Sequence, residues 1–559
     1  MFQLVQKLKS CKIDLRSWSR EMFRNNKFQL ALLKSRLDEV QGKPPSEAYM
    51  QHQNQLKQEI EVLLGREEMY LHQRSRIRWL QYEDRNSSFF HASVIQRRQR
   101  NQILKLQKED GTWVESVSEI DSYIREYFEN LFSNVGVRDM ESALSVVEPL
   151  VSREMNTLLI KPVTDTEIKE AVFQLGPLKS PRSDGFPGFF YHTYWDTVNS
   201  QIFNVVGSFF NGGYLLKELN QTNLVLIPKV PHLEKLSHLR PISLCNFSLK
   251  IIMKILANRL EQVLGKLISP QQSAFVLGRM IQDNILVAHE TFHSLKILRR
   301  GTPAIKIKLD FNKAYDRIQW DFLLAVLERM GFHSKWIQWI RECVTTVRFR
   351  IVVNGAIQLA ITPSRGLRQG DPLSPYLFLL VSDVFSKLLS IGLRSREFSR
   401  LKLARHCPTL SHLLFADDAL LFLKEDPQES ANLLDILRTY CEASGQVINF
   451  DKSNITFASN VPQNIQDEIC QKTRITKASS TVSYLGLPSS WGRSKAEAYS
   501  YLLEKMLSKL QGWKAKLLSL AGREVLLKAV AQSPPSYVMA CFAFPKHFCE
   551  KLNSYIRNF

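Results

Sequence analysis

Two adjacent aspartates, Asp417 and Asp418, stand between the apolar runs Leu413-Leu414-Phe415-Ala416 and Ala419-Leu420-Leu421-Phe422. Short apolar runs joined by a polar pair predict a β-hairpin with both carboxylates at its tip. Side by side they repel, so they need protonation or neutralisation. Ordinary turn chemistry is one reading, since Asp is common in turns. A divalent cation is the other, and Mg²⁺ takes hard oxygen ligands, few of them from protein. The run Ala304–Asp310 alternates. It predicts a strand with Ile305, Ile307 and Leu309 on one face and Lys306, Lys308 and Asp310 on the other. In the same sheet as the hairpin, Asp310 would join Asp417 and Asp418. Three carboxylates suit two metal ions about 4 Å apart and phosphoryl transfer.

Charge narrows the substrate. The 559 residues hold 74 Lys and Arg against 54 Asp and Glu, a net +20, which favours a polyanionic partner such as nucleic acid over an uncharged one. With 44% apolar and 23% charged residues, disorder throughout is excluded. None of the eight cysteines forms a C-x-x-C pair, so neither a zinc knuckle nor a thioredoxin motif is present. Cys-poor composition and the lack of a signal-like N-terminus point to an intracellular, non-secreted protein, nuclear or cytoplasmic. No run approaches 18 apolar residues, so no membrane span is expected.

Along the chain, residues 1–75 read as charged helices broken at Gly42, Pro44 and Pro45, a helical hairpin that serves as spacer or binding element. Residues 71–100 interleave Arg74, Arg76, Arg78, Arg85, Arg97, Arg98 and Arg100 with Trp79, Phe89 and Phe90. That mixture fits phosphate contacts and base stacking, or a solvated face over two core phenylalanines. Residues 131–165 read as a connector. Thr164 and Glu167 form a capping box, so a helix should begin at Asp165. A strand is expected at 224–229, helices at 191–216, 247–268, 284–299, 320–330, 372–392 and 428–443, and a turn at Asn354-Gly355. There is no strand–GxGxxG–helix unit and no Walker loop. The expected fold class is α+β with flanking helices, not a doubly wound sheet.

Phe415-Ala416-Asp417-Asp418 resembles the catalytic hairpin signature of reverse transcriptases. Leu309-Asp310-Phe311-Asn312-Lys313-Ala314-Tyr315-Asp316 resembles their first palm motif. Arg365-Gly366-Leu367-Arg368-Gln369-Gly370-Asp371-Pro372-Leu373-Ser374-Pro375 resembles the motif that contacts template and nucleotide. The three occur in family order. Segments 74–101, 162–187, 225–246, 272–284, 436–455, 484–495 and 511–546 extend the likeness to plant non-LTR (LINE-type) retroelement polyproteins. An intron maturase shares the palm, but Tyr484-Leu485-Gly486-Leu487-Pro488 and Gln511-Gly512-Trp513 look LINE-type.

The resemblance implies a right-hand polymerase fold: a basic helical extension at 1–130, fingers at 160–300, palm at 301–460 and a partial helical thumb at 461–559, with the reverse transcriptase domain at about 208–488. It implies Mg²⁺ or Mn²⁺ held by Asp310, Asp417, Asp418 and the backbone carbonyl of Phe311. Tyr315 would lie beneath the incoming sugar and exclude a 2′-hydroxyl. Lys229 and Arg240 would hold the triphosphate, Gln369 and Gly370 would face the nascent base pair, and Lys452 would help protonate pyrophosphate. Partners would be an RNA template, a DNA primer, their hybrid and dNTPs. Departures from the family pattern fall at Arg182 and Ser183, where Gly and Pro are usual, and at Leu277, where Pro is usual. The family's endonuclease has no counterpart in residues 1–70, so a polymerase fragment is expected, active or a nucleic-acid-binding remnant.

Overall fold

The computed structural model describes the chain except residues 24–25, 45, 81–85, 135, 137–138, 181–183, 298–303, 399–406, 408, 459, 479–482 and 489–498. Arg85, Arg182 and Ser183 therefore lie outside the described residues. Two compact units emerge: residues 1–5 with 103–491, and residues 6–102 with 492–559.

Besides two short two-stranded ribbons, the larger unit is built on two main sheets, bearing out the α+β reading. Nine strands make them up: β1 (Gln221–Pro228), β2 (Leu239–Leu244), β3 (Ala304–Leu309), β4 (Arg348–Val353), β5 (Ala356–Ile361), β6 (His412–Phe415), β7 (Asp418–Lys424), β8 (Asn454–Phe457) and β9 (Thr476–Lys477). One sheet runs β9-β8-β3-β7-β6, the other β2-β1-β4-β5. In the first, only the β8–β9 pair is parallel; in the second, only β1–β4. The alternation predicted for β3 is observed, with Ile305, Ile307 and Leu309 all fully buried. The opposite face is not simply solvated. Lys306 is also buried, its ammonium 3.9 Å from the Phe292 ring centroid, a cation–π contact that compensates part of its lost hydration.

Helices enclose the sheets where their sequence signals stood. Thr164 caps Asp165–Gln174, its hydroxyl accepting the Glu167 N–H at 3.2 Å. The reciprocal half of the capping box is not used. The Glu167 carboxylate instead takes two bonds of 2.8 Å from Arg259, whose guanidinium also donates to the Leu159 and Lys161 carbonyls. Arg259 is 1% exposed, and such a buried cation is tolerated only with its donors satisfied. The 131–165 connector holds two short helices, Glu141–Leu144 and Arg153–Ile160, each too short for a periodic signal.

One helix, Ser374–Arg394, is long and apolar enough to cross a membrane by length and composition. Ser, Gly and Lys interrupt its apolar residues, which hid it from a search for unbroken runs. Two thirds of its apolar 18-residue window is buried inside the protein, with Phe385 edge-on to Phe311 and the helix packed on Pro427–Ser444 and Trp320–Arg329, the behaviour of a core helix.

The smaller unit is helical. Its long elements are Phe2–Phe23 (from residue 6 on), Asn26–Gln41, Glu47–Ser75, Ser87–Asn101, Ser500–Leu510 and Lys546–Arg557. Asn26–Gln41 packs on Glu47–Ser75 as the predicted hairpin, but the stretch before Gly42 holds two helices, Phe2–Phe23 and Asn26–Gln41, where one was expected. Asn86 ties the chain's two ends: its N–H donates to Glu68 and its side-chain oxygen accepts the Ser519 N–H at 2.9 Å. The two readings of residues 71–100 separate here. Phe89 and Phe90 are buried, edge-on to Trp79 and His72 respectively, and are not stacking surfaces. Arg74, Arg78, Arg97, Arg98 and Arg100 are exposed.

Candidate active site

The aspartate hairpin forms as expected, with one refinement. Phe415 and Asp418 are the last paired residues, so Asp418 begins β7 and only Ala416 and Asp417 make the turn. Ala416 is left-handed at φ 54°, which costs a non-glycine residue about 1–2 kcal/mol. Leu309 pairs with Ala419, and continuing that register by one residue sets Asp310 opposite Asp418.

Asp310 is fixed by the segment that follows the long helix Pro427–Ser444. The Ser453 hydroxyl accepts the Asp310 N–H at 3.1 Å, the Asn449 N–H donates to its carbonyl at 2.8 Å, and the Asn449 side-chain amide donates to its carboxylate at 3.0 Å. Phe311 bridges to Ile448 across the same seam. Burial raises the pKa of Asp417, and the charge of Asp310 raises it further while Arg240 opposes. Burial raises Asp418 too, against Lys308, with Asp417 and Asp310 adding to the rise. The three carboxylates thus share one field.

Among the described residues, no group of three or more His, Cys, Asp or Glu side chains is close enough to hold a metal ion as it stands. One oxygen of the Asp310 carboxylate is taken by the Asn449 amide. The candidate donor set nevertheless fits a hard cation, because every donor in it is a carboxylate or carbonyl oxygen.

A polar cleft of about 720 Å³ gathers the predicted residues. Lys229, Arg240, Asp310, Phe311, Tyr315, Gln369, Gly370, Asp417 and Lys452 all line it, whereas Asp418 does not. Lys229 follows β1, and Arg240 on β2 pairs with Ile227 of β1. Burial first, then Lys452 and Arg240, lower the pKa of Lys229. Lys229 and Arg240 therefore share one cleft with the Asp310 and Asp417 carboxylates. Tyr315 stacks on Phe378, centroids 4.6 Å apart and planes 10° from parallel, so its ring forms a fixed floor. Gly370 sits at φ 114°, and a Cβ there would meet the Ser243 carbonyl at 3.3 Å; only glycine suits both constraints.

Three residues were missed as site candidates. Lys313 lines the cleft, is left-handed at φ 55° and donates to the Leu239 carbonyl at 2.7 Å. Burial and Lys229 push its pKa down to about 8. Asp316 is 2% exposed and accepts Gln369 Nε2 at 3.0 and 3.1 Å on its two oxygens. Burial holds its pKa up at about 6 against the pull of Lys313. Both stand inside the quoted motif, but their burial comes from packing, which residue type does not announce. The third, Gln272, opens the family-like segment 272–284, but its residue type announces no role. Leu277, the departure at 277, is 67% exposed and disturbs no core contact.

Residues 227–489 match the reverse transcriptase (RNA-dependent DNA polymerase) family. The chain is 28% identical over 490 residues, 87% of its length, to an uncharacterized 149 kDa protein of transposon TX1 from Xenopus laevis. It is 27% identical over 231 residues, 41% of its length, to a Pol polyprotein of the type-1 retrotransposable element R2 from Nasonia vitripennis. It is 23% identical over 293 residues, 51% of its length, to the RNA-directed DNA polymerase from mobile element jockey of Drosophila funebris. These matches cover 37%, 22% and 31% of the three relatives. Residues 227–489 are therefore a reverse transcriptase domain of the kind carried by non-LTR retrotransposon polyproteins.

Proposed function

We propose that this chain is an RNA-directed DNA polymerase that extends a primer 3′ end with dNTPs on an RNA template. The observation that carries the reading is the cleft that Asp310 and Asp417, in one field with Asp418, share with Lys229, Arg240, Lys313 and Lys452. In this reading fingers and palm occupy 160–300 and 301–460. Asp310, Asp417, Asp418 and the Phe311 carbonyl hold Mg²⁺ or Mn²⁺, which when bound supplies Lewis-acid stabilisation of the phosphoryl group in flight. The cations receive the triphosphate, Arg240 as a planar fork and the lysines as point charges. Lys452 keeps a proton at Nζ for the departing pyrophosphate. Gln369 and Gly370 border the nascent base pair. In this reading the Tyr315 ring, fixed by Phe378, lies beneath the incoming sugar and excludes a 2′-hydroxyl, so Tyr315→Ala should raise rNTP incorporation; unchanged sugar discrimination removes that role. A plant source for the element is part of the same proposal, resting on the LINE-type segments at 74–101 and 511–546, and flanking genomic sequence tests it.

The experiment is primer extension by the purified chain on an RNA template with dNTPs and Mg²⁺. Template-dependent extension is expected. A chain that binds template and primer yet adds no nucleotide is a binding remnant, and the proposal fails.

A further inference from the structure

We infer that Gln272 is the positioning residue of the aspartate turn: its buried carboxamide clamps both backbone polar groups of Ala416 and so sets where Asp417 and Asp418 stand. The inference rests on reading those aspartates as the metal-facing carboxylates. Gln272 is fully buried. Its Oε1 accepts the Ala416 N–H at 2.9 Å and the Ala274 N–H at 3.0 Å, while Nε2 donates to the Ala416 carbonyl at 3.4 Å. Ala416 is the left-handed residue of the turn, a conformation that alanine holds only when its surroundings over-determine it.

The clamp is itself anchored. β6 is the edge strand of its sheet, and residues 271–273 cover that edge. The Leu414 N–H donates to the Gln271 carbonyl at 2.9 Å, and the Ser273 N–H donates to the Leu414 carbonyl at 3.1 Å. Asn284 donates to the same Leu414 carbonyl at 2.8 Å and accepts the Ser273 hydroxyl at 2.6 Å. Arg279 gathers the Ser269 and Gln272 carbonyls at 2.6 Å each and the Ile268 carbonyl at 3.0 Å. A core that needed only volume here would hold an apolar side chain. A buried amide that spends both ends on one turn residue is specific to that turn, because each lost partner leaves a desolvated polar group.

The test compares wild type, Gln272→Met and Gln272→Met with Ala416→Gly. Methionine keeps the volume and removes the amide; glycine removes the strain that the amide restrains. Direct Mn²⁺ binding by electron paramagnetic resonance is the primary readout, with Mg²⁺-dependent extension and thermal unfolding alongside. Gln272→Met should fold and bind primer–template normally, with Mn²⁺ affinity and kcat falling roughly ten- to a hundredfold, the size seen when groups that orient metal ligands are removed. Adding Ala416→Gly should recover part of both. Unchanged Mn²⁺ affinity in folded Gln272→Met overturns the inference, as does a loss that glycine does not relieve. Hydrogen exchange on wild type decides the matter if Gln272→Met does not fold: the Ala416 amide should be protected like its strand neighbours, and exchange at the rate of an open turn contradicts the clamp. Absence of wild-type extension counts against the polymerase reading, while the Mn²⁺ titration still reports on Gln272.

Discussion

Asp316 and Lys313 show how much of the cleft is decided by single side chains. The carboxylate of Asp316 is buried under Gln369, and burial lifts its pKa from 3.8 to about 6. Because the folded protein binds this proton more tightly than the unfolded chain, the group's contribution is fully present below about pH 4 and is lost as pH rises through 6. Lys313, at about 8, stays charged across that window. Each tenfold difference in proton affinity between the folded and unfolded chain is worth about 1.4 kcal/mol. Wild type should therefore lose up to about 3 kcal/mol relative to Asp316→Asn between pH 4 and 7. Denaturant titrations of the two proteins at several pH values measure it, and a gap that does not move with pH contradicts it. Residue chemistry made Asp310, Asp417 and Asp418 legible, because charges beside apolar strands stand out. It left Asp316, Lys313 and Gln272 without a role, because their partners are 53, 74 and 144 residues distant.

Elements were legible wherever periodicity was strong. The alternation of β3, the hairpin β6–β7 and the Asn354-Gly355 turn, with φ of 49° and 89°, all stand where the pattern set them. Short helices at 141–144 and 153–160 were not, since one or two turns carry no period. The segment 365–371 has no regular element at all, yet it joins the two sheets' neighbourhoods: Gln369 accepts the Ser243 N–H at 2.8 Å through its carbonyl and holds Asp316 through its amide. Its shape depends on Gly366, at φ 97°, where a Cβ would meet the Asp316 carbonyl at 2.6 Å. Gly366→Ala should cost more than about 1 kcal/mol, because both the dihedral and the contact oppose it. It should also weaken dNTP binding by displacing Gln369. A thermal midpoint and KM equal to wild type would show that the loop absorbs the change.

At the scale of the whole molecule, net charge and motif order pointed to a nucleic-acid polymerase, and the family match over 227–489 agrees. The grouping of residues 6–102 with 492–559 was beyond reach from sequence alone, since it depends on non-local bonds such as Asn86 to Ser519. The chain carries +20 overall, yet the groups to which the proposed function assigns the chemistry are negative. The central claim is that those carboxylates perform the chemistry while the basic surface holds the nucleic acid. Single-turnover extension of a primer on RNA, run beside a binding assay, tests it on wild type and on Asp417→Asn/Asp418→Asn. Primer–template affinity should stay within about threefold while extension falls by at least about a thousandfold, roughly 4 kcal/mol of transition-state stabilisation. Extension that persists at the wild-type rate in the double variant would contradict the account.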